Sequence, residues 1–170
     1  MNNSTRLILG AGMVVLAAAF LIGQAITPYF HGRPLLLTPD NRQVKDYLDL
    51  YETRIAMAEK EHAQLESVLV PTRPGAAASS VFELSQKARL AQMNLDVLAR
   101  GIEQTKVPGG LVSLDEALGD ALAAELHFAD QVLLFVGRGD ESTRAEALQA
   151  SQSAKTKLTG ARTALTNTLR

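Results

Sequence analysis

Apolar positions along this chain follow two rhythms. Residues 7–26, LILGAGMVVLAAAFLIGQAI, run without a charge, and Gln24 is their one strongly polar side chain. A helix of that length rises about 30 Å, the thickness of a bilayer core. Beyond Leu37 the apolar residues become periodic. Val44, Leu48, Tyr51, Ile55, Ala58, His62, Leu65 and Leu69 alternate steps of four and three. Leu84, Ala88, Ala91, Leu95, Leu98, Ile102 and Thr105 repeat that rhythm. A third run carries Leu114, Leu118, Ala121, Phe128, Val132 and Phe135, with a second face of Leu122, Leu126, Ala129, Leu133 and Val136. The fourth run is thin in large side chains: Ala147, Ala154, Leu158, Ala161 and Leu165. Steps of four and three mark the seam of a helix packed on other helices. No alternating strand pattern occurs.

Helix punctuation agrees with these runs. Thr38-Pro39-Asp40 suits a helix start: a cap, a proline at the first helical position and an acid in the first turn. Pro71 to Gly75, Pro108-Gly109-Gly110 and Gly137-Arg138-Gly139 break the runs. Ser80 with Glu83, and Ser113 with Glu116, have the spacing of capping boxes. Asp140 can cap the last run. The spacing predicts helices over about 39–69, 81–105, 114–136 and 141–169. The expected fold is all-α: an N-terminal transmembrane helix within residues 1–27, a juxtamembrane linker over 28–37, and an up-down-up-down four-helix bundle over 38–170.

Charge supports that ring of helices. Residues 38–69 carry seven acids and four bases, and 70–110 carry three acids and five bases. Residues 111–139 carry five acids and one base, and 140–170 carry three acids and five bases. The sign alternates helix by helix, so each helix meets two neighbours of opposite sign. Such exposed pairs choose neighbours more than they stabilise. The chain as a whole, with 170 residues and a net charge of −1, has no strong pull toward nucleic acid, and none is expected as a partner. Zero cysteines exclude disulfides, thiolate metal sites and a cysteine nucleophile.

The apolar N-terminal segment has two readings. As an anchor it buries residues 7–26 in lipid, with Arg6, Tyr29 and Phe30 at the interfaces. As a cleaved signal it offers Gly23-Gln24-Ala25, with cleavage after Ala25 and secretion of the body. The anchor is favoured because the apolar run is long for a signal peptide. Orientation is balanced between the short N-tail, which favours an exported body, and Arg33, Arg42 and Lys45, which oppose it. Export is the expectation. Ala19 and Gly23 form a small-xxx-small pair through which two anchors could dimerise.

Candidate chemistry is sparse. Glu59 and His62 share a helix face at a metal-ligand spacing, and Asp130 is counted level with His62 across the bundle. These three are the metal candidates. The competing reading is a half-buried histidine satisfied by a hydrogen bond. Arg138-Gly139-Asp140 spells an adhesion tripeptide, but each residue serves a helix end locally. Val132, Leu133, Leu134, Phe135 and Val136 are continuous apolars that cannot all face one core. With Phe82 they are candidates for a protein-docking patch at the tip. No Ser–His–Asp set, HExxH motif or glycine-rich phosphate turn appears. Neither a cofactor nor catalysis is expected. The leading expectation is a membrane-anchored interaction or scaffold module in a bacterial envelope, docking an unidentified protein. Alternatives are an extracytoplasmic small-ligand sensor acting through a partner, and a metal-binding bundle centred on His62.

Overall fold

A computed structural model describes residues 29–30, 33–34, 39–69 and 78–169. The chain divides into two units, residues 1–46 and 47–170. In the first, β1 (Tyr29–Phe30) and β2 (Arg33–Pro34) form a short antiparallel ladder with Tyr29 opposite Pro34. This ladder falls inside the expected linker, where two-residue strands leave no alternating pattern to read. The expected anchor at 7–26, with Arg6, Ala19, Gly23 and the Ala25 cleavage site, lies outside the described residues, as do the side chains of Tyr29 and Phe30. Among the described residues no helix is long and apolar enough to cross a membrane.

Four helices follow: α1 (Pro39–Leu69), α2 (Ala78–Glu103), α3 (Val112–Arg138) and α4 (Glu141–Thr168). Together they form a helical bundle. Cross-helix hydrogen bonds give the directions. Arg54 reaches Gly101 and Glu61 reaches Asn94, so α1 and α2 are antiparallel. Tyr51 reaches Ala161 and Glu66 reaches Ser151, so α1 and α4 are antiparallel. Tyr47 reaches Asp115 and His62 reaches Glu125, so α1 and α3 run parallel. The order is up-down-up-down.

The seam positions make the core. Leu48, Tyr51, Ile55, Ala58, Leu65 and Leu69 of α1 are buried, as are Ala88, Ala91, Leu95 and Ile102 of α2. Leu114, Leu118, Ala121, Phe128 and Val132 of α3 meet Ala147, Ala154, Leu158, Ala161 and Leu165 of α4. Small α4 side chains let α3 and α4 approach closely along their length. The alternating charges are used on α4, where Arg162 binds Glu59 of α1 and Lys157 binds Asp120 of α3. Among the described residues no ion pair joins α2 to a neighbour; its Arg100 bonds Asp96 on the same helix.

Helix ends correct part of the punctuation. Gly139 takes the left-handed conformation (φ 70°) and its N–H closes on Phe135 O, while Asp140 caps α4 by accepting from Thr143 N at 2.8 Å. The Arg138-Gly139-Asp140 tripeptide is therefore a helix end followed by a helix start. The two capping boxes do not form. Helix α2 already begins at Ala78, which places Ser80 inside it. Helix α3 begins at Val112, with Leu111 at the cap position and no side-chain cap bond. Buried Leu111 starts α3 earlier than Ser113 would, because burying that side chain outweighs a single cap bond of about 1 kcal/mol.

Candidate functional site

Among the described residues the bundle breaks the usual inside–outside rule in two ways. One is a polar layer in the core. His62 of α1 is 6% exposed and Glu125 of α3 is fully buried. The imidazole Nδ1 lies 2.9 and 3.1 Å from the two Glu125 carboxylate oxygens. Its Nε2 lies 3.2 Å from Glu66 Oε1, one turn along α1. Ser151 of α4 donates to the same Glu66 oxygen at 3.1 Å and stands 3.5 Å from Nε2. The Phe128 ring covers the imidazole at a centroid distance of 5.1 Å.

The electrostatics follow from this enclosure. Burial pushes the His62 pKa down, but the Glu125 bond and the charges of Glu125 and Glu66 outweigh it, and the net shift is upward. Burial pushes Glu125 upward, against the pull of His62. The pair therefore holds its protons more tightly than the separate groups would in water. Protonated His62 donates from both nitrogens, one to each carboxylate.

A second polar group sits near the start of α1. Tyr47 donates to Asp115 Oδ1 at 2.7 Å and Tyr51 donates to Ala161 O at 3.2 Å. Burial raises both phenols well above their usual range. Buried Arg54 donates to Gly101 O and Thr105 Oγ1, both at 2.7 Å, and its burial lowers its pKa. These bonds join all four helices at one end.

The metal candidates do not converge. Glu59 is held by the Arg162 guanidinium through bonds of 2.8 and 2.6 Å. Asp130 accepts from Gln92 of α2. His62 faces Glu125, five residues earlier on α3 than the counted partner Asp130. Counting down from the tip misjudged the level because the helix ends are not flush: His62 lies seven residues before the end of α1 and Glu125 thirteen before the end of α3, so α3 projects past α1 by about six residues. Among the described residues no group of three or more His, Cys, Asp or Glu could hold a metal ion.

The second break is apolar and outside. Phe82, Leu90, Met93 and Val97 of α2 each leave between 56% and 69% of their surface to solvent. At 3.6 residues per turn they fall within an arc of about 80° facing away from the core, with Gln86 in the same arc between Phe82 and Leu90. The Arg54–Gly101 and Glu61–Asn94 contacts set the level of α1, and they place half-exposed Met57 beside the Val97 turn. The tip patch is less open than its composition suggested. Val132 is fully buried, Leu133, Phe135 and Val136 are half-buried, and Leu134 is exposed. Phe82, Val81, Arg89, Leu133 and Val136 line a shallow groove between α2 and α3 there. Of the docking candidates, Phe82 is the one that belongs to the α2 stripe.

Sequence reasoning missed Glu125, Ser151 and the α2 stripe. Glu125 occupies the seam slot between Ala121 and Phe128, and Ser151 the slot between Ala147 and Ala154. A polar residue in a seam slot was the available signal. For the stripe, the signal was a second apolar periodicity on α2, offset from the buried one. Compared with known proteins, the chain matches no family model, no curated protein and no solved structure.

Proposed function

We propose that this chain is a membrane-tethered interaction module, a non-catalytic helical bundle that engages protein through the outer face of α2. The observation that carries the proposal is the exposed stripe of Phe82, Leu90, Met93 and Val97. Large exposed apolar side chains gathered on one helix face mark an interaction surface. The polar interior argues in the same direction. His62 is enclosed by Phe128, Glu125, Glu66 and Ser151, which suits a group that orders the core. The tether rests on the uncharged apolar residues 7–26, and with it the assignment of the bundle to the outer side of a bacterial membrane.

The test uses the full chain extracted in mild detergent from its native membrane. Phe82→Asp combined with Leu90→Asp is expected to reduce the native complex to a smaller species while the melting temperature holds. A complex of unchanged size would remove the interaction reading. Carbonate extraction tests the tether separately, and release of the chain into the soluble fraction would remove it.

A further inference from the structure

We infer that the occupant of the α2 stripe is a second copy of this chain, packed through a two-fold axis that sets α2 antiparallel to α2. The inference rests on the interaction reading and names its partner.

Area is the first support. The exposed parts of Phe82, Leu90, Met93, Val97 and Met57 amount to roughly 600 Å², the upper limit of what a monomer leaves as its largest apolar patch. With its polar rim such a face approaches the ~800 Å² that each partner contributes to an interface of standard size.

Charge is the second. Among the described residues no ion pair joins α2 to another helix, and Arg89 has no acidic partner. Arg89 and Asp96 stand on the same edge of the stripe, seven residues apart. A two-fold axis between Gln92 and Met93 lies midway between them. In an antiparallel pair, such an axis brings like edges together with the sequence reversed. Each Arg89 then lies beside the partner's Asp96, and the two arginines stay about 10 Å apart. A parallel pair would set the edge carrying Arg89 and Asp96 against the opposite edge of the partner helix, which offers neither an acid at the level of Arg89 nor a base at that of Asp96.

Register is the third. The same axis puts the partner's Val97 between the levels of Gln86 and Leu90, and the partner's Leu90 between those of Met93 and Val97. Leu90 and Val97 interdigitate, the two Met93 side chains meet at the axis, and Phe82 falls opposite the partner's helix end at the level of Glu103. Charge sets the axis, and the register of Leu90, Met93 and Val97 fits it.

The chain contains no cysteine, so single cysteines report proximity without background. Near the axis, Met93→Cys brings two Cα atoms within disulfide range. Gln86→Cys places its pair about 20 Å apart along the helices, and Thr159→Cys on α4 is remote from the face. Oxidation of the full chain in native membranes should give a covalent dimer from Met93→Cys only. Arg89→Asp and Asp96→Arg should each weaken dimerisation of the purified full chain at least tenfold. The double variant should recover most of that loss. Cross-linking at Gln86→Cys as efficient as at Met93→Cys would overturn the antiparallel axis. A purified full chain that sediments as a monomer, with Met93→Cys uncross-linked, would overturn the second copy. That result would leave the wider reading standing if the native extract still held a complex sensitive to Phe82→Asp with Leu90→Asp.

Discussion

The His62 layer and the outer face of α2 are opposite exceptions to one rule. One puts polar groups inside, and the other puts apolar groups outside. Inside, each hydrogen-bonding atom of the imidazole finds a partner within the chain: Glu125 on one nitrogen, Glu66 and Ser151 on the other. Outside, Phe82, Leu90, Met93 and Val97 find none. A completed exception belongs to the structure of the bundle. An incomplete one points to something beyond it. The difference is chemical as well as spatial, because a buried charge cannot wait for a partner, whereas an exposed apolar side chain can.

Removing one member of the inner layer should give the largest effect. His62→Ala leaves the fully buried Glu125 without its partner, and a loss of about 3–5 kcal/mol is expected in chemical denaturation. If the loss is no greater than that of an exposed alanine substitution, the layer is not a coupled unit.

The pH dependence should come next. Both pKa values are raised on folding, so the folded chain binds more protons than the unfolded one over this range. Stability should then be fullest below the carboxylate's unfolded value near 4.5 and should fall as pH rises through 6.5 and beyond. Thermal melts across that range should show the decline, and it should vanish in a variant lacking both groups. A smaller effect is expected from such a variant itself. His62→Leu with Glu125→Met replaces the pair by apolar groups of similar size. It should melt within about 1 kcal/mol of the parent or above it, because replacing both charges removes the desolvation cost that removing one exposes. The smallest change in folding belongs to the outer face. Leu90→Ser with Val97→Ser should move folding stability by less than about 0.5 kcal/mol per site while abolishing association. A large loss of stability there would make the stripe part of the core and erase the contrast.

These two regions also show how far the sequence could be read. The seam of α1 was legible from Leu48 to Leu69, because large apolar side chains repeat at helical spacing and their burial holds the helix in place; Val44 is only half-buried, and Tyr47 and Val68 join the core from beside the seam. His62 stood out because it falls in that seam. Glu125 and Ser151 occupy the corresponding slots on α3 and α4, yet their polarity hides them from a search for apolar periodicity. Which acid meets His62 depends on the relative level of two helices, and no local pattern carries that. The capping boxes misled for a related reason: Ser113 and Glu116 have the right spacing, but burial of Leu111 sets the start of α3. The tip run of Val132 to Val136 was read from composition alone, and the helix distributes it between core and surface.

The two-residue link of Gly139 and Asp140 has a kinetic consequence. It joins two long helices that pack closely, so the α3–α4 hairpin closes a very short loop and should assemble ahead of the rest. Without α1, Glu125 lacks the imidazole that pairs with it. Docking of α1 brings His62 to that carboxylate. The proton taken up by the pair is therefore acquired late, and mixing experiments across pH should find the slowing of assembly confined to the arrival of α1.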